Sequence, residues 1–183
     1  MQAPSGQLAT RSLQALLADG TLAGEWVLDP GRSSVRLKAK VMGLIPVNGV
    51  FREVTGSGAV RPDGAARGTL IVAAASIDTR NTRRDKHLRS ADFFDSDNHP
   101  DITFTAAGVR PGGQGAAITG ALTIRGQTRP LSVDAAASVR GDGEVALDVA
   151  LQVNRADFGL TWNSMGLTSM RSILSIHATF IRR

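Results

Sequence analysis

LSVDAAASVRGDGEVALDVALQV, Leu131 to Val153, is two alternating runs hinged on Asp142-Gly143. In the first, Leu131, Val133, Ala135, Ala137 and Val139 share one face; in the second, Val145, Leu147, Val149, Leu151 and Val153 do. Successive side chains of a strand point to opposite faces, so this alternation buries one face and wets the other, as antiparallel sheet does. Asp-Gly between two such runs is a strong hairpin signal, because both residues tolerate the positive φ a tight turn needs.

The same period extends in both directions. In SVRLKAKV, Val35, Leu37, Ala39 and Val41 oppose Arg36, Lys38 and Lys40. Ile102, Phe104 and Ala106 alternate with Thr103 and Thr105, and Ile118, Leu122 and Ile124 with Thr119 and Thr123. In SILSIHATF, Leu174, Ile176, Ala178 and Phe180 oppose Ser175, His177 and Thr179. Asp63-Gly64, PGGQG (Pro111–Gly115) and RGQTRP (Arg125–Pro130) mark further turns. TLIVAAASI is a continuous apolar run whose facing the pattern leaves open. About eight strands result, spaced as in a sandwich or barrel. Ala39, Ala106, Ala135, Ala137 and Ala178 make the inward face small. That favours an open lumen, although a flattened sandwich with a solid core has the same pattern.

SIDTRNTRRDKHLRSADFFDSDNHP, Ser76 to Pro100, is the one stretch of different character and reads as an insertion between strands. Its positive charges (Arg80, Arg83, Arg84, Lys86, Arg89) balance its negative ones (Asp78, Asp85, Asp92, Asp95, Asp97). A nucleic-acid surface needs uncompensated positive charge. The stretch instead predicts a helix through RNTRRDKHLRS, capped by Asp78 or Thr79, with Asp85 paired to Arg89. Leu88 and at least one of Phe93 and Phe94 pin it to the barrel mouth.

QLATRSLQALLADG places Leu13, Leu16 and Leu17 at helical spacing, with Gly20 at the C-cap. Arg11, Gln14 and Asp19 interrupt the apolar core that a secretory signal requires, which predicts a short amphipathic helix packed on the domain and a cytoplasmic protein. No apolar run approaches the roughly 20 residues of a membrane helix. The 183 residues suffice for one domain with a substantial core, and the net charge of +5 permits an acidic partner without demanding one. With six Phe, two Trp and no Tyr, a base-stacking platform has little to build with.

Chemistry-bearing motifs are scarce. There is no cysteine, hence no thiolate nucleophile or sulfur metal site. His87 and His99 lack ligand spacing, and Asp95, Asp97 and Asp101 lack the glycine and terminal glutamate of a calcium loop, so neither metal nor cofactor is expected. His177 falls on a polar strand face, and no nucleophile elbow, phosphate loop or dinucleotide fingerprint occurs. NRADFGLTWN reads as a strand end followed by a loop anchored by Phe158 and Trp162.

Several stretches together resemble the YceI-like family: WVLDPGRSSVRLKAKVMGL, NGVF, SIDTRNTRRDKHLRSADFFDSDNHPDITF, ITGALTIRGQTRPLSV and RADFGLTWN, spanning about Gly24 to Arg183. The resemblance implies an all-β fold: an eight-stranded antiparallel extended lipocalin-like barrel around an apolar tunnel. It carries an inserted helix, RNTRRDKHLRSADFFD, and here a short N-terminal helix. Residues 1–22 are then the helix and lead-in, and residues 23–183 the barrel domain. The resemblance further implies a protein that binds a polyisoprenoid or related long-chain amphiphile. This chain departs from the family's pattern at Arg32 and Val41, where histidines are usual, and at GLTSMRSIL, where Gly-Asp-Glu-Val is usual.

The function expected is therefore non-catalytic binding of a long isoprenoid or acyl chain, with a homodimer left open. The expected lining is Leu37, Ala39, Val41, Phe51, Phe94, Phe104, Leu122, Ile124, Val133, Ala135, Leu147, Leu151, Trp162, Ile176 and Phe180. Two rivals stand beside it: an enzyme acting on a lipid in the same tunnel, and an interaction module using the Arg36/Lys38/Lys40 stripe.

Overall fold

The computed structural model describes residues 11–163 and 168–183. Residues 7–10 of the N-terminal stretch and 166–167 of GLTSMRSIL lie outside the described residues. Helix α1 (Leu13–Ala18) starts on Ser12, whose hydroxyl accepts from the Ala15 N–H, and is followed by Gly20 at φ 75°. There follow β1 (Gly24–Leu28), β2 (Ser34–Val41), β3 (Ile45–Phe51), β4 (Val54–Val60), β5 (Ala66–Ala73) and β6 (Ile77–Asp78). Helix α2 (Thr82–Arg89) comes next, then β7 (Asp101–Gly112), β8 (Gly115–Ile124), β9 (Gln127–Arg140), β10 (Glu144–Asn154) and β11 (Arg171–Arg182).

These eleven segments make eight staves. β1 lies along β11 with Leu28 opposite Phe180, and β2 continues on the same edge with Ser34 opposite His177. β3 and β4 likewise follow one another along β2 and β1, and β5 and β6 along β4 and β3. β7 to β11 are single staves in meander order, and the pairing of β11 with β1 and β2 closes the barrel. Closure leaves a free edge at the two-residue β6 and the adjoining part of β3, and every pairing between the described strands is antiparallel.

The alternating rows fall into register as one inner wall. Val145 stands between Val139 and Phe180, Leu147 between Ala137 and Ala178, and Val149 between Ala135 and Ile176. Leu174 continues the wall to Leu37, and Phe51 to Val35. In the run TLIVAAASI, Leu70 and Val72 point inward opposite Phe104 and Ile102, and Ala74–Ser76 form a 3-10 turn.

The break in the first stave holds Arg32, one of the departures from the family pattern. Its guanidinium donates to Asp29 at 2.7 Å and to Glu144 at 2.7 Å, tying the kink to the β9–β10 hairpin. The Arg32 hydrogen bond holds the Asp29 carboxyl below its ordinary range. Ser33 donates to the Asp29 carbonyl, and Thr179 on β11 bonds both Ser33 and the Arg32 carbonyl. Arg32 is structural here.

The insertion is helical, with a different cap and different partners from those the spacing predicts. Asn81 caps α2 by accepting from the Arg84 N–H at 3.0 Å. Asp85 turns inward and accepts from the Thr79 N–H at 3.0 Å and its hydroxyl at 2.5 Å, leaving Arg89 to donate to the carbonyls of Ala75 and Ile77. A buried carboxylate gains more from two short donors than from a solvated i,i+4 pair, which accounts for the rearrangement.

Candidate functional site

The closed barrel is hollow in two places. One cavity, of about 210 Å³, lies toward the end that α1 covers. Leu13, Leu17, Leu22 and Trp26 form its floor, and the indole N–H of Trp26 donates to the Leu22 carbonyl at 3.0 Å, so no polar atom there is left bare. Its wall is apolar apart from Ser57 on β4 and Arg67 and Thr69 on β5, and includes Phe104, Leu122, Val133, Leu147, Leu151, Ile176 and Phe180. Absent side chains make part of the room: Gly58 and Gly68 stand opposite each other in the inward phase.

The second cavity, of about 750 Å³, lies toward the other end, under α2 and the loop after β10. Leu37, Ala39, Val41, Phe51 and Ile124 line its body, and Phe94 meets Phe51 edge to face at 5.9 Å. Phe93 and Phe94 are both buried, so both phenylalanines of the insertion serve the barrel. Trp162 lines the mouth at 36% exposure, more a rim than the anchored loop residue the sequence suggests. Leu174 is the residue common to both cavities.

Every residue expected to line a tunnel borders one of these cavities except Ala135. Ala135 faces inward, as its phase requires, and is buried against Ala116 and Ile118, where the wall is packed. The α1 floor and the polar residues of the mouth were not among the expected lining.

At the mouth the chemistry changes. Thr79, Asn81, Arg83, Arg84, His87 and Arg155 border the large cavity, and no carboxylate is among its lining. Arg84 donates to the Thr79 hydroxyl and carbonyl, with Asp85 one layer behind. His87 is not simply solvated: its ring meets Trp162 at 4.3 Å and Phe93 at 5.7 Å and bonds Asp92 at 3.3 Å. Arg155, the first residue after β10, is 5% exposed. It donates to the carbonyls of Leu160, Trp162 and Ser169 at 2.8, 2.7 and 2.9 Å and lies over the Phe93 ring. Burial lowers its pKa, and among the described residues no carboxylate pairs with it. The signal for Arg155 was faint, a lone arginine at a strand end.

The geometry therefore offers an apolar interior and a cationic mouth, where the one His–carboxylate pair bordering a cavity among the described residues is His87 with Asp92. No group of three or more metal-ligating side chains comes together among the described residues. No described helix is long and apolar enough to cross a membrane.

The comparisons with known proteins agree with this architecture. The sequence profile described as YceI-like domain matches residues 26–180. A UPF0312 protein of Azotobacter vinelandii is 36% identical over 137 residues, covering 71% of this chain and 70% of that protein. Among solved structures, BcnA of Burkholderia cenocepacia superposes with a TM-score of 0.76 at 22% identity, over 83% of this chain and 98% of BcnA. A polyisoprenoid binding domain from Saccharophagus degradans gives 0.72 at 14% identity, over 86% and 98%. At those identities the two structures show the fold alone. With the profile spanning nearly the whole barrel and the curated relative above 30% identity, the chain belongs to the YceI-like family.

Proposed function

We propose that this protein binds one long-chain isoprenoid or similar amphiphilic lipid without transforming it, for storage, transport or sequestration. The observation that carries the reading is an interior lined by strand-borne apolar side chains and opening at one polar end. Each methylene removed from water contributes about 0.8 kcal/mol, so a chain occupying the two cavities binds with few polar contacts. The Saccharophagus domain, of the same fold, is a polyisoprenoid binding domain, which supports a barrel of this shape as housing for such a chain. The polar head would then rest at the mouth near Arg83, Arg84 and His87.

Arg155 and His87 border the large cavity, and they are the observation that favours the rival, an enzyme acting on a lipid. Binding is the better reading because most of the Arg155 donors are held by carbonyls of the loop it clamps. A guanidinium is also a poor proton donor at neutral pH. The cytoplasmic setting belongs to the same proposal: α1 is spent closing the barrel, with Leu16 and Leu17 buried. One chain lines both cavities, so the reading needs no dimer.

Organic extraction and mass spectrometry of the purified protein test it. A single-chain isoprenoid or acyl lipid near one per chain is expected. Ligand-free protein that takes up no long-chain fluorescent probe would overturn the reading, and conversion of the extracted lipid on incubation would favour the enzyme.

A further inference from the structure

The Arg36/Lys38/Lys40 stripe has no part in the cavities, and the structure places it beside a second unexplained feature. Met42, Leu44 and Ile45 form the tip of the β2–β3 hairpin at 57%, 85% and 55% exposure. The other exposed large hydrophobics among the described residues are Ile173 and Trp162. All five lie at the open end of the barrel, where the large cavity has its mouth, and none at the end closed by α1. Met42 and Gly43 occupy the left-handed region at φ 55° and 69°. Asparagine or glycine suits such a turn on both steric and solvation grounds. A methionine in that conformation followed by an 85% exposed leucine is chosen against both.

The charges surround this tip. Arg36, Lys38 and Lys40 project from the outer face of β2 and are exposed. Their cross-strand neighbours on β3 are Val50, Asn48 and Pro46, and on β11 Ser175 and Ile173. Arg171, also exposed, lies two residues from Ile173 on the same face of β11. None of the four cations has a carboxylate within ion-pair distance among the described residues. Asp78 and Asp148 are already paired with Arg52 and His177, and Asp157, which accepts from Asn154 opposite Arg171, forms no ion pair with it.

We propose that the protein docks by this end on an anionic lipid bilayer, with the Met42–Leu44–Ile45 tip in the headgroup–acyl boundary and Arg36, Lys38, Lys40 and Arg171 on the lipid phosphates. An aliphatic tip ringed by unpaired cations matches the two layers of a membrane surface, apolar below and anionic above. A nucleic acid would use the cations and leave the tip in water. The docked orientation turns the mouth of the large cavity toward the lipid. This goes beyond ligand binding in the barrel and does not depend on it.

Co-sedimentation of the full chain with vesicles tests the proposal, using phosphatidylcholine alone and an equal mixture with phosphatidylglycerol. Binding to the mixture should exceed binding to phosphatidylcholine by about tenfold and weaken steeply with salt. Leu44→Asp and the double variant Lys38→Glu/Lys40→Glu should each lose about tenfold in binding with unchanged thermal midpoints, since all three side chains are exposed. Arg110→Glu, an exposed charge reversal on β7 away from the tip, should bind as wild type. The proposal is overturned by no binding to the mixed vesicles, by an equal loss in Arg110→Glu, or by full binding in Leu44→Asp. Duplex DNA bound as tightly, with Leu44→Asp without effect, would reassign the surface to polyanions. Because sedimentation reads the outer surface, its failure leaves lipid uptake into the barrel standing.

Discussion

Leu174 on β11 stands directly opposite Leu151 on β10, and between them the barrel interior changes hands: Leu151 borders only the small cavity, whereas Leu174 borders both. Leu37, opposite Leu174 on its other side, borders only the large one. This row of three leucines is the constriction between the two cavities, and it bounds how much of a chain enters.

Leu174→Ala should widen the neck between the cavities. The cost to stability is expected at about 2 kcal/mol, the low end for a leucine truncation, because the side chain already borders empty space on both sides. The bound lipid should lengthen, read by mass spectrometry of the extract. Leu174→Phe should instead exclude the chain from the small cavity and shorten what co-purifies. Unchanged chain length in both variants would show that the row does not set the limit.

The packed wall at Ala135 separates two variants that alternation alone treats alike. Ala135→Phe drives a ring into contact with Ala116 and Ile118 and should cost about 1–3 kcal/mol by overpacking. Val133→Phe, two residues away in the same inward phase, points into the small cavity, and should leave stability within about 1 kcal/mol while displacing the end of the chain. Denaturant titration of the two ligand-free variants checks the contrast.

That contrast also shows what was legible in the sequence. Phase was, because a one-residue slip would turn every inward side chain of a strand outward; where β7 does slip, at the bulge between Ala106 and Gly108, the wall passes from Ala106 to Val109 and the alternation no longer predicts the facing. The inward residues from Leu131 to Val153 and from Leu174 to Phe180 are all where period two puts them. Depth along the axis was not legible, since filling or emptying a stretch of lumen depends on what seven other staves contribute at that height. Glycines hid part of the wall for a related reason: Gly58 and Gly68 belong to the inward rows yet carry no side chain for a hydrophobic pattern to register. The mouth was hidden by distance in sequence, as His87 and Trp162 meet across 75 positions and the Arg155 clamp grips carbonyls rather than a complementary charge.

Two exposed ion pairs make stability depend on pH. Asp78 receives Arg52 at 2.7 Å, tying β6 to the end of β3, and Asp29 receives Arg32 in the first kink. The arginine hydrogen bond in each case lowers the carboxyl pKa below its ordinary 3.8. A lowered folded pKa means the stabilisation is complete above 3.8 and is lost as pH falls through the lower folded value. The thermal midpoint should hold from neutral pH to about pH 5 and fall below about pH 4. Asp78→Asn should be less stable than wild type at neutral pH, and the difference should vanish in acid, where Asp78 is itself uncharged. A constant difference at all pH values would remove Asp78 from the account.

The cationic mouth decides which end of a bound amphiphile faces water. Arg83 borders the large cavity, is exposed, and makes no ion pair among the described residues, so its charge can be reversed without breaking a contact. Arg84 and Arg155 are poorer probes, because each holds backbone carbonyls and its loss would loosen the loops around the mouth. With no carboxylate in the lining, the potential at the mouth favours an anionic head such as a carboxylate or phosphate over a neutral alcohol or amide on the same chain. Reversing one partly solvated charge should weaken an anionic ligand about three- to tenfold, roughly 0.6–1.4 kcal/mol, and the effect should shrink at high salt. Arg83→Glu is therefore expected to bind a long-chain alcohol as wild type does and the corresponding phosphate or carboxylate more weakly. Fluorescence displacement with a chain-length-matched pair measures both arms on one protein. Equal weakening of alcohol and acid would mean that the variant has altered the mouth's shape. Unchanged binding of both would place the head group elsewhere than at Arg83, with the chain still free to occupy the barrel.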